Sequence, residues 1–484
     1  MMRKYIFIGM MMVMAWGCDD FLTVKPKSDI KDVELFSTAE GCEDAIYGAY
    51  AKLGADGLYG REMRYYLPEV LAQSYYSDLD AGSEGSALSE IRNYKHSMTY
   101  AREEYGVAWR SMYEAIGFVN NIISNLEAKG KGSFKYYDCY LGEALGMRAF
   151  LHFDLVRLFA PHYTSQPDER GIPYVKQWVA QVTPFSTVKE VYRNVLTDLK
   201  ESERLLVATG KIEREEKDEF MKQRNLHFNL EAARATLARV YWMIGELDSA
   251  RIYADKVIRS NKFRFASKTS LNTFMQKTVS MEETIWGLYN AEVYSDWLTQ
   301  HVRRQGLGDL TTDFKSIYAY EGPTGKKDYR LDNWFGTYNR SGTPVDILVK
   351  VMGNVSDTTS LTTSYNGGPY LGTSMIRIPE MYYIMSEALL ATGNAEGAME
   401  YLDAVVDARG MEKFADRTPL VDITLSDIMA ERRKEFIGEG QWWFCLKRLN
   451  SPVKLSGATG ATIPGSDKIY VLPLPVEEED YRPE

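Results

Sequence analysis

Asn229-Leu-Glu-Ala-Ala-Arg-Ala-Thr-Leu-Ala-Arg-Val-Tyr-Trp-Met-Ile-Gly-Glu-Leu-Asp-Ser-Ala-Arg-Ile-Tyr-Ala-Asp-Lys-Val-Ile-Arg-Ser260 decides the fold. Leu230, Ala233, Leu237, Tyr241 and Ile244 recur at helical spacing on one face. Gly245-Glu-Leu-Asp248 breaks that helix. Ala250, Tyr253, Ala254, Val257 and Ile258 then form the inner stripe of a second. A shift of 148 residues brings the same pattern back. Gly393-Asn-Ala-Glu396 falls on the turn, Ser386 on Ala238, Ala398 on Ala250 and Val405 on Val257. Helix pairs with small residues where the two helices approach closely are the tetratricopeptide pattern.

Further helices are expected at Glu40–Leu53, Glu103–Leu126, Tyr140–Phe159 and Val188–Leu206. The additional helix pairs are expected within 103–160 and between 40–53 and 188–206. Strand patterns are few, at Thr284–Leu288 and Ile347–Val351. A loop-rich stretch from Asn290 to Thr373 carries Tyr294, Trp297, Trp334 and Tyr338, a content that disorder disfavours. The fold class is therefore mainly α, with helical repeats, few short strands and a loop-rich stretch. The 484 residues are 45% hydrophobic and 26% charged, as in ordinary globular chains. The 13% aromatic share is high. Trp109, Tyr113, Tyr241, Trp242 and the run Trp442 to Phe444 are expected in the core.

Residues 1–17 read as a leader. Arg3 and Lys4 precede an apolar run, Ile6 to Trp16, that is too short to span a bilayer. Cys18 follows Gly17, the position at which a bacterial lipoprotein is acylated; the alternative is an ordinary secreted chain. The mature body is then 18–484. Its formal charge moves from −10 to −12 as Arg3 and Lys4 depart. Cys42, Cys139 and Cys445 cannot all pair and show no CxxC spacing, so they read as small buried side chains.

The acidic balance, 57 basic against 67 acidic residues, argues against a nucleic-acid partner. Five histidines form no HExxH or other metal-ligand spacing, and no GxSxG elbow occurs, so neither a metal, a cofactor nor a catalytic residue is assigned. His152 lies on an apolar stripe and reads as a hydrogen-bonded core histidine. Glu431, Glu435 and Glu439, interleaved with Arg432, Arg433 and Lys434, read as a charged helix surface rather than a glycosidase dyad.

Several segments carry a resemblance, in order along the chain: Cys18-Asp-Asp-Phe-Leu22; Ser37-Thr-Ala-Glu-Gly-Cys-Glu-Asp-Ala-Ile-Tyr-Gly-Ala-Tyr50; Arg148-Ala-Phe-Leu-His-Phe-Asp-Leu-Val-Arg-Leu-Phe159 with Gly171-Ile-Pro-Tyr-Val175; Glu431-Arg-Arg-Lys-Glu-Phe-Ile-Gly-Glu-Gly440; and Leu472-Pro-Leu-Pro475. Together they resemble the SusD/RagB family of outer-membrane nutrient-binding lipoproteins of Bacteroidota. The resemblance divides the body into an N-terminal SusD-like segment, about 20–210, and a C-terminal RagB/SusD segment, about 280–484. It implies an α-superhelix of four tetratricopeptide-like helix pairs with a loop-rich ligand-binding subdomain, a lipid anchor at Cys18 facing the cell exterior, and a SusC-like TonB-dependent transporter as partner. It implies a non-catalytic binder of oligosaccharides, or in the RagB branch of oligopeptides; a pure scaffold for the transporter is the other alternative. Asp78 falls where the family often has a ligand-binding Asp, flanked by Tyr75 and Tyr76. Trp297 falls in a family ligand region, and Trp334 and Tyr338 are added on their loop position. Where the family has Arg and Asp this chain has Trp442 and Cys445, an exchange of a polar pair for apolar packing.

A sugar ring offers an apolar C–H face and a hydroxyl rim. A flat aromatic ring matches the face and planar polar groups match the rim.

Overall fold

The computed structural model describes residues 34–75, 86–179, 181–209, 218–268, 282–290, 316–319, 325–340, 342–350, 372–420, 422–455 and 460–481, with Leu271 and Ser280. Ten helices carry the argument: α1 Ala39–Leu53, α2 Thr99–Lys129, α3 Tyr137–Phe159, α4 Val188–Thr209, α5 Leu230–Met243, α6 Leu247–Arg259, α7 Ile378–Ala391, α8 Ala395–Ala408, α9 Leu425–Glu435 and α10 Trp442–Arg448. The six strands used below are β1 Arg170–Pro173, β2 Phe185–Thr187, β3 Thr284–Tyr289, β4 Phe335–Arg340, β5 Thr343–Leu348 and β6 Gly372–Arg377.

The repeat is present as two helical hairpins, α5–α6 and α7–α8, and α6 packs on α7 so that the hairpins stack. Both turns use a glycine in the left-handed region, Gly245 at φ 83° and Gly393 at φ 81°. The close approach is visible in the second hairpin, where the Ser386 hydroxyl donates to the Ala398 carbonyl at 2.7 Å. Polar bonds join the hairpins: Arg239 of α5 holds Glu380 of α7 at 2.8 and 2.6 Å, and Trp242 Nε1 donates to Glu387.

Helices α2 and α3 form the hairpin expected within 103–160. The expected pairing of 40–53 with 188–206 is corrected. Helix α4 lies along α3 and α5, while α1 packs on α2 and α3. The reason is α3, which is buried almost all round. A helix buried on every side must be covered on every side, so α3 stands between α1 and α4, and its Arg148 holds Asp198 of α4 at 2.7 and 2.9 Å.

The strands form two-stranded antiparallel pairs: β1 with β2, β3 with β6, and β4 with β5. Thr284 lies opposite Arg377 and Tyr289 opposite Gly372. Of the loop-rich stretch 290–373, the described parts hold a short helix, Tyr329–Trp334, and the β4–β5 hairpin. Cys42, Cys139 and Cys445 are buried and none is in a disulfide. Trp109, Trp242, Trp443 and Phe444 are core as expected. Trp442 is half-buried with the Arg433 guanidinium 5.9 Å over its ring, and Cys445 packs beside Arg432. No described helix is long and apolar enough to cross a membrane.

Candidate functional site

Four of the nominated residues, Cys18, Tyr76, Asp78 and Trp297, lie outside the described residues. Tyr338 lies in β4 opposite Val345, with its side chain outside the described set. Tyr75 and Trp334 are corrected: Tyr75 is 3% exposed and Trp334 0%, so neither ring offers a face to a ligand. Trp334 instead covers a buried charge cluster, with Lys350 Nζ 4.0 Å over its ring.

That cluster also corrects the reading of α9 as a charged surface. Glu435 is fully buried and accepts from Arg377 Nη1 at 2.7 Å, from Arg409 at 3.0 and 2.7 Å, and from Arg330 Nη1 at 3.1 Å. Glu439 takes Arg377 Nη2 at 2.6 Å and Lys350 Nζ at 2.5 Å; Glu431 takes Arg330 Nη2 at 2.7 Å. Glu283, next to β3, binds Arg377 and Arg409. Burial by itself would raise the Glu435 pKa, but Arg409 and Arg377 hold the carboxyl well below the ordinary range. A carboxylate held ionised by three guanidiniums has no proton to give and no free lone pair for a water. The cluster is therefore structural, locking β3, β6, the end of β5 and α9 together. The spacing of Glu431, Glu435 and Glu439 marks an inward face. Sequence alone could not tell this, because alternating charges look alike whether the partners are water or buried arginines.

His152 matches its expectation. Its Nδ1 lies 2.9 Å from the Arg148 carbonyl, and Val175 N donates to Nε2 at 3.0 Å. Burial pushes its pKa down to about 3, so the ring is neutral.

An open cleft of about 650 Å³ lies between α1, the segment 218–227 and the end of β3. Tyr47 and Tyr289 stand at its edge, 43% and 51% exposed. Glu219, Lys222 and Gln223 line it as well. The floor is rigid. Tyr50 donates to Glu143 Oε2 at 2.5 Å and accepts from Phe228 N at 2.7 Å, while Glu143 binds Arg224 at 2.5 Å and His227 at 3.2 Å. Burial would raise the Glu143 pKa, but Arg224 and His227 outweigh it and hold it at about 2. Tyr47 packs edge-on against Phe220 at 5.6 Å and His227 at 5.7 Å, which fixes its ring. Asn290 closes the corner by donating to the Gly54 carbonyl at 2.5 Å.

Tyr47 and Tyr289 were missed at the level of sequence. The signal for Tyr47 was present: it is out of phase with the Ala45, Ile46, Ala49, Tyr50 and Leu53 stripe. Tyr289 is the one exposed residue of an otherwise buried strand, which only the end of the β3–β6 pairing reveals.

Residues 20–242 match the family described as SusD-like, starch-binding associating with outer membrane, and residues 348–463 match the SusD family. A SusD-like protein P2 of Formosa agariphila is 26% identical, over 99% of this chain and 97% of its own length. A SusD-like protein of Bacteroides ovatus is 22% identical, over 92% and 82%. Among solved structures, SusD superfamily proteins of Bacteroides thetaiotaomicron and Bacteroides vulgatus superpose with TM-scores of 0.73 and 0.74, each covering 92% of this chain and 98% of its own, at 23% and 22% identity. At that identity the superposition speaks for the fold alone, and it agrees with the stacked hairpins. The two family matches, the relatives aligned over nearly the full length and the shared helical fold give one answer: the chain belongs to the SusD/RagB family of nutrient-binding, outer-membrane-associated proteins.

Proposed function

We propose that this protein binds oligosaccharides at the outer cell surface and passes them, without chemistry, to a SusC-like TonB-dependent transporter. The observation that carries the reading is the cleft: two half-exposed tyrosine rings, Tyr47 and Tyr289, beside Glu219, Lys222 and Gln223 on a rigid buried floor. Rings match the C–H faces of sugars and the polar side chains match the hydroxyl rim. Tyr76, Asp78, Trp297 and Tyr338 are further ligand residues in this reading, and Cys18 carries the lipid that holds the body at the membrane, facing outward. A formal charge of −12 on the mature body suits a neutral glycan better than a polyanion.

Affinity gels with starch, xylan, laminarin and galactomannan test this reading, followed by calorimetry with oligosaccharides of whichever polymer retards the protein. Retardation by a polymer, without release of shorter products, is expected. Silence across the panel with binding of mixed oligopeptides would instead assign the protein to the peptide-binding branch.

A further inference from the structure

Trp178 lies outside the cleft and outside every loop nominated from the sequence, and it is 55% exposed. Its six-membered ring rests on Gly117 of α2, where a Cβ would come within 2.8 Å of ring carbon Cζ3. The ring meets the helix with its Cζ3 edge, and more than half of the side chain is open to water. The backbone beneath is pinned. Tyr113 donates its hydroxyl to the Pro173 carbonyl at 2.8 Å, Asn120 donates to the Val175 carbonyl at 2.9 Å, and Arg148 donates to the Lys176 carbonyl at 3.2 Å. Tyr174 stacks on His152 at 3.9 Å and donates to Asp198 at 2.7 Å.

The neighbours of Trp178 in the chain border an open hollow of about 280 Å³, lined by Lys176, Gln177, Gln181 and Thr183 with Tyr174, Val179, Val182 and Pro184. Planar amides, an ammonium and a hydroxyl are the donors and acceptors that a hydroxyl rim needs. Phe118, next to Gly117, is 47% exposed and lies 3.6 Å from where a Gly48 Cβ would be, one residue from Tyr47.

We propose that Trp178 and the hollow its chain neighbours border form a second carbohydrate contact, which takes the far end of a chain whose near end occupies the Tyr47–Tyr289 cleft. The inference rests on the glycan-binding reading above. It makes Trp178 a determinant of chain length: long oligosaccharides reach both contacts, short ones only the cleft. Gly117 is a positioning residue, needed because a Cβ there would meet the ring edge at 2.8 Å.

The test uses the mature protein with Trp178→Ala, Trp178→Tyr and Gly117→Ala, in calorimetry against long and short oligosaccharides of the polymer that retards the wild type. Trp178→Ala is expected to weaken the long ligand about tenfold, the worth of one stacked ring, and to leave the short one unchanged. Gly117→Ala, which moves the ring without removing it, should follow in the same direction, and Trp178→Tyr should retain most of the affinity. Unfolding midpoints of the Trp178 variants should match the wild type, because the side chain is exposed. If the wild type binds a glycan and Trp178→Ala binds the long form equally well, the second contact is refuted while the cleft stands. Unchanged sugar binding with lost co-purification of a membrane barrel would overturn it in favour of protein docking through Trp178, Val179 and Val182. A wild type silent on all four polymers refutes the glycan reading itself, and this contact with it.

Discussion

Replacing Glu435 by Gln is nearly isosteric, so its effect isolates charge. The cluster around Glu435 holds Arg330, Arg377, Arg409, Lys350 and Lys434 against Asp328, Glu283, Glu431, Glu435 and Glu439, five of each sign among the described residues. The substitution leaves one positive charge uncompensated in a site where Arg330, Arg377 and Arg409 are all 0% exposed. Four charge-assisted hydrogen bonds are weakened at once. Removing one partner of a buried pair costs about 3–5 kcal/mol. Urea unfolding at pH 7 should show a loss of that size. The pH dependence follows from the sign of the shift. Glu435 is depressed in the folded state, so its stabilisation is complete above the ordinary carboxylate value near 4.5 and declines as pH falls towards its folded value. The gap between Glu435→Gln and wild type should therefore narrow below pH 4.5. The double change Glu435→Gln with Arg409→Met should recover part of the loss, since it removes a charge of each sign. A Glu435→Gln protein within about 1 kcal/mol of wild type at pH 7, or a gap that widens in acid, would refute the reasoning.

Trp334→Ala should lower stability by about 3–5 kcal/mol, as a large buried ring does, without selective loss of ligand contacts; urea unfolding beside calorimetry separates the two. Gly146→Ala should cost about 1–3 kcal/mol, because the new Cβ would fall 2.1 Å from the Phe228 ring in a packed layer. The imidazole of His152 should show no titration by nitrogen NMR between pH 8 and pH 4. The stability it confers should fall as pH drops below 6.5, where the unfolded chain takes up a proton that the buried ring refuses.

Much of the fold is legible in the sequence because helical hairpins are local. The Gly245 and Gly393 turns, the small residues facing across each pair and the helical stripes are all set within about one hairpin's length of chain. What escapes is non-local. The placement of α4 depends on α3 being buried on every side and on its Arg148 pairing with Asp198 of α4. The fate of Glu431, Glu435 and Glu439 depends on Arg330, Arg377 and Arg409, which arrive from segments far apart in the chain. The candidate site divides in the same way. Trp334 is in the core, over Lys350 and Arg377, whereas Tyr47 and Tyr289 are exposed on the outer face of a helix and at the end of a strand, and Trp178 is exposed in the irregular stretch between β1 and β2. The Arg148 to Phe159 and Gly171 to Val175 segments, which carried the family resemblance, have a physical reason to be as they are. They clamp the stretch of chain that presents Trp178.

Calorimetry of the mature protein against oligosaccharides of a retarding polymer, wild type beside Tyr289→Ala, addresses the binding cleft most directly. Tyr289 is half exposed, so its loss should leave the unfolding midpoint unchanged and weaken binding about tenfold. Equal affinity of the two proteins for the same sugar would contradict the account.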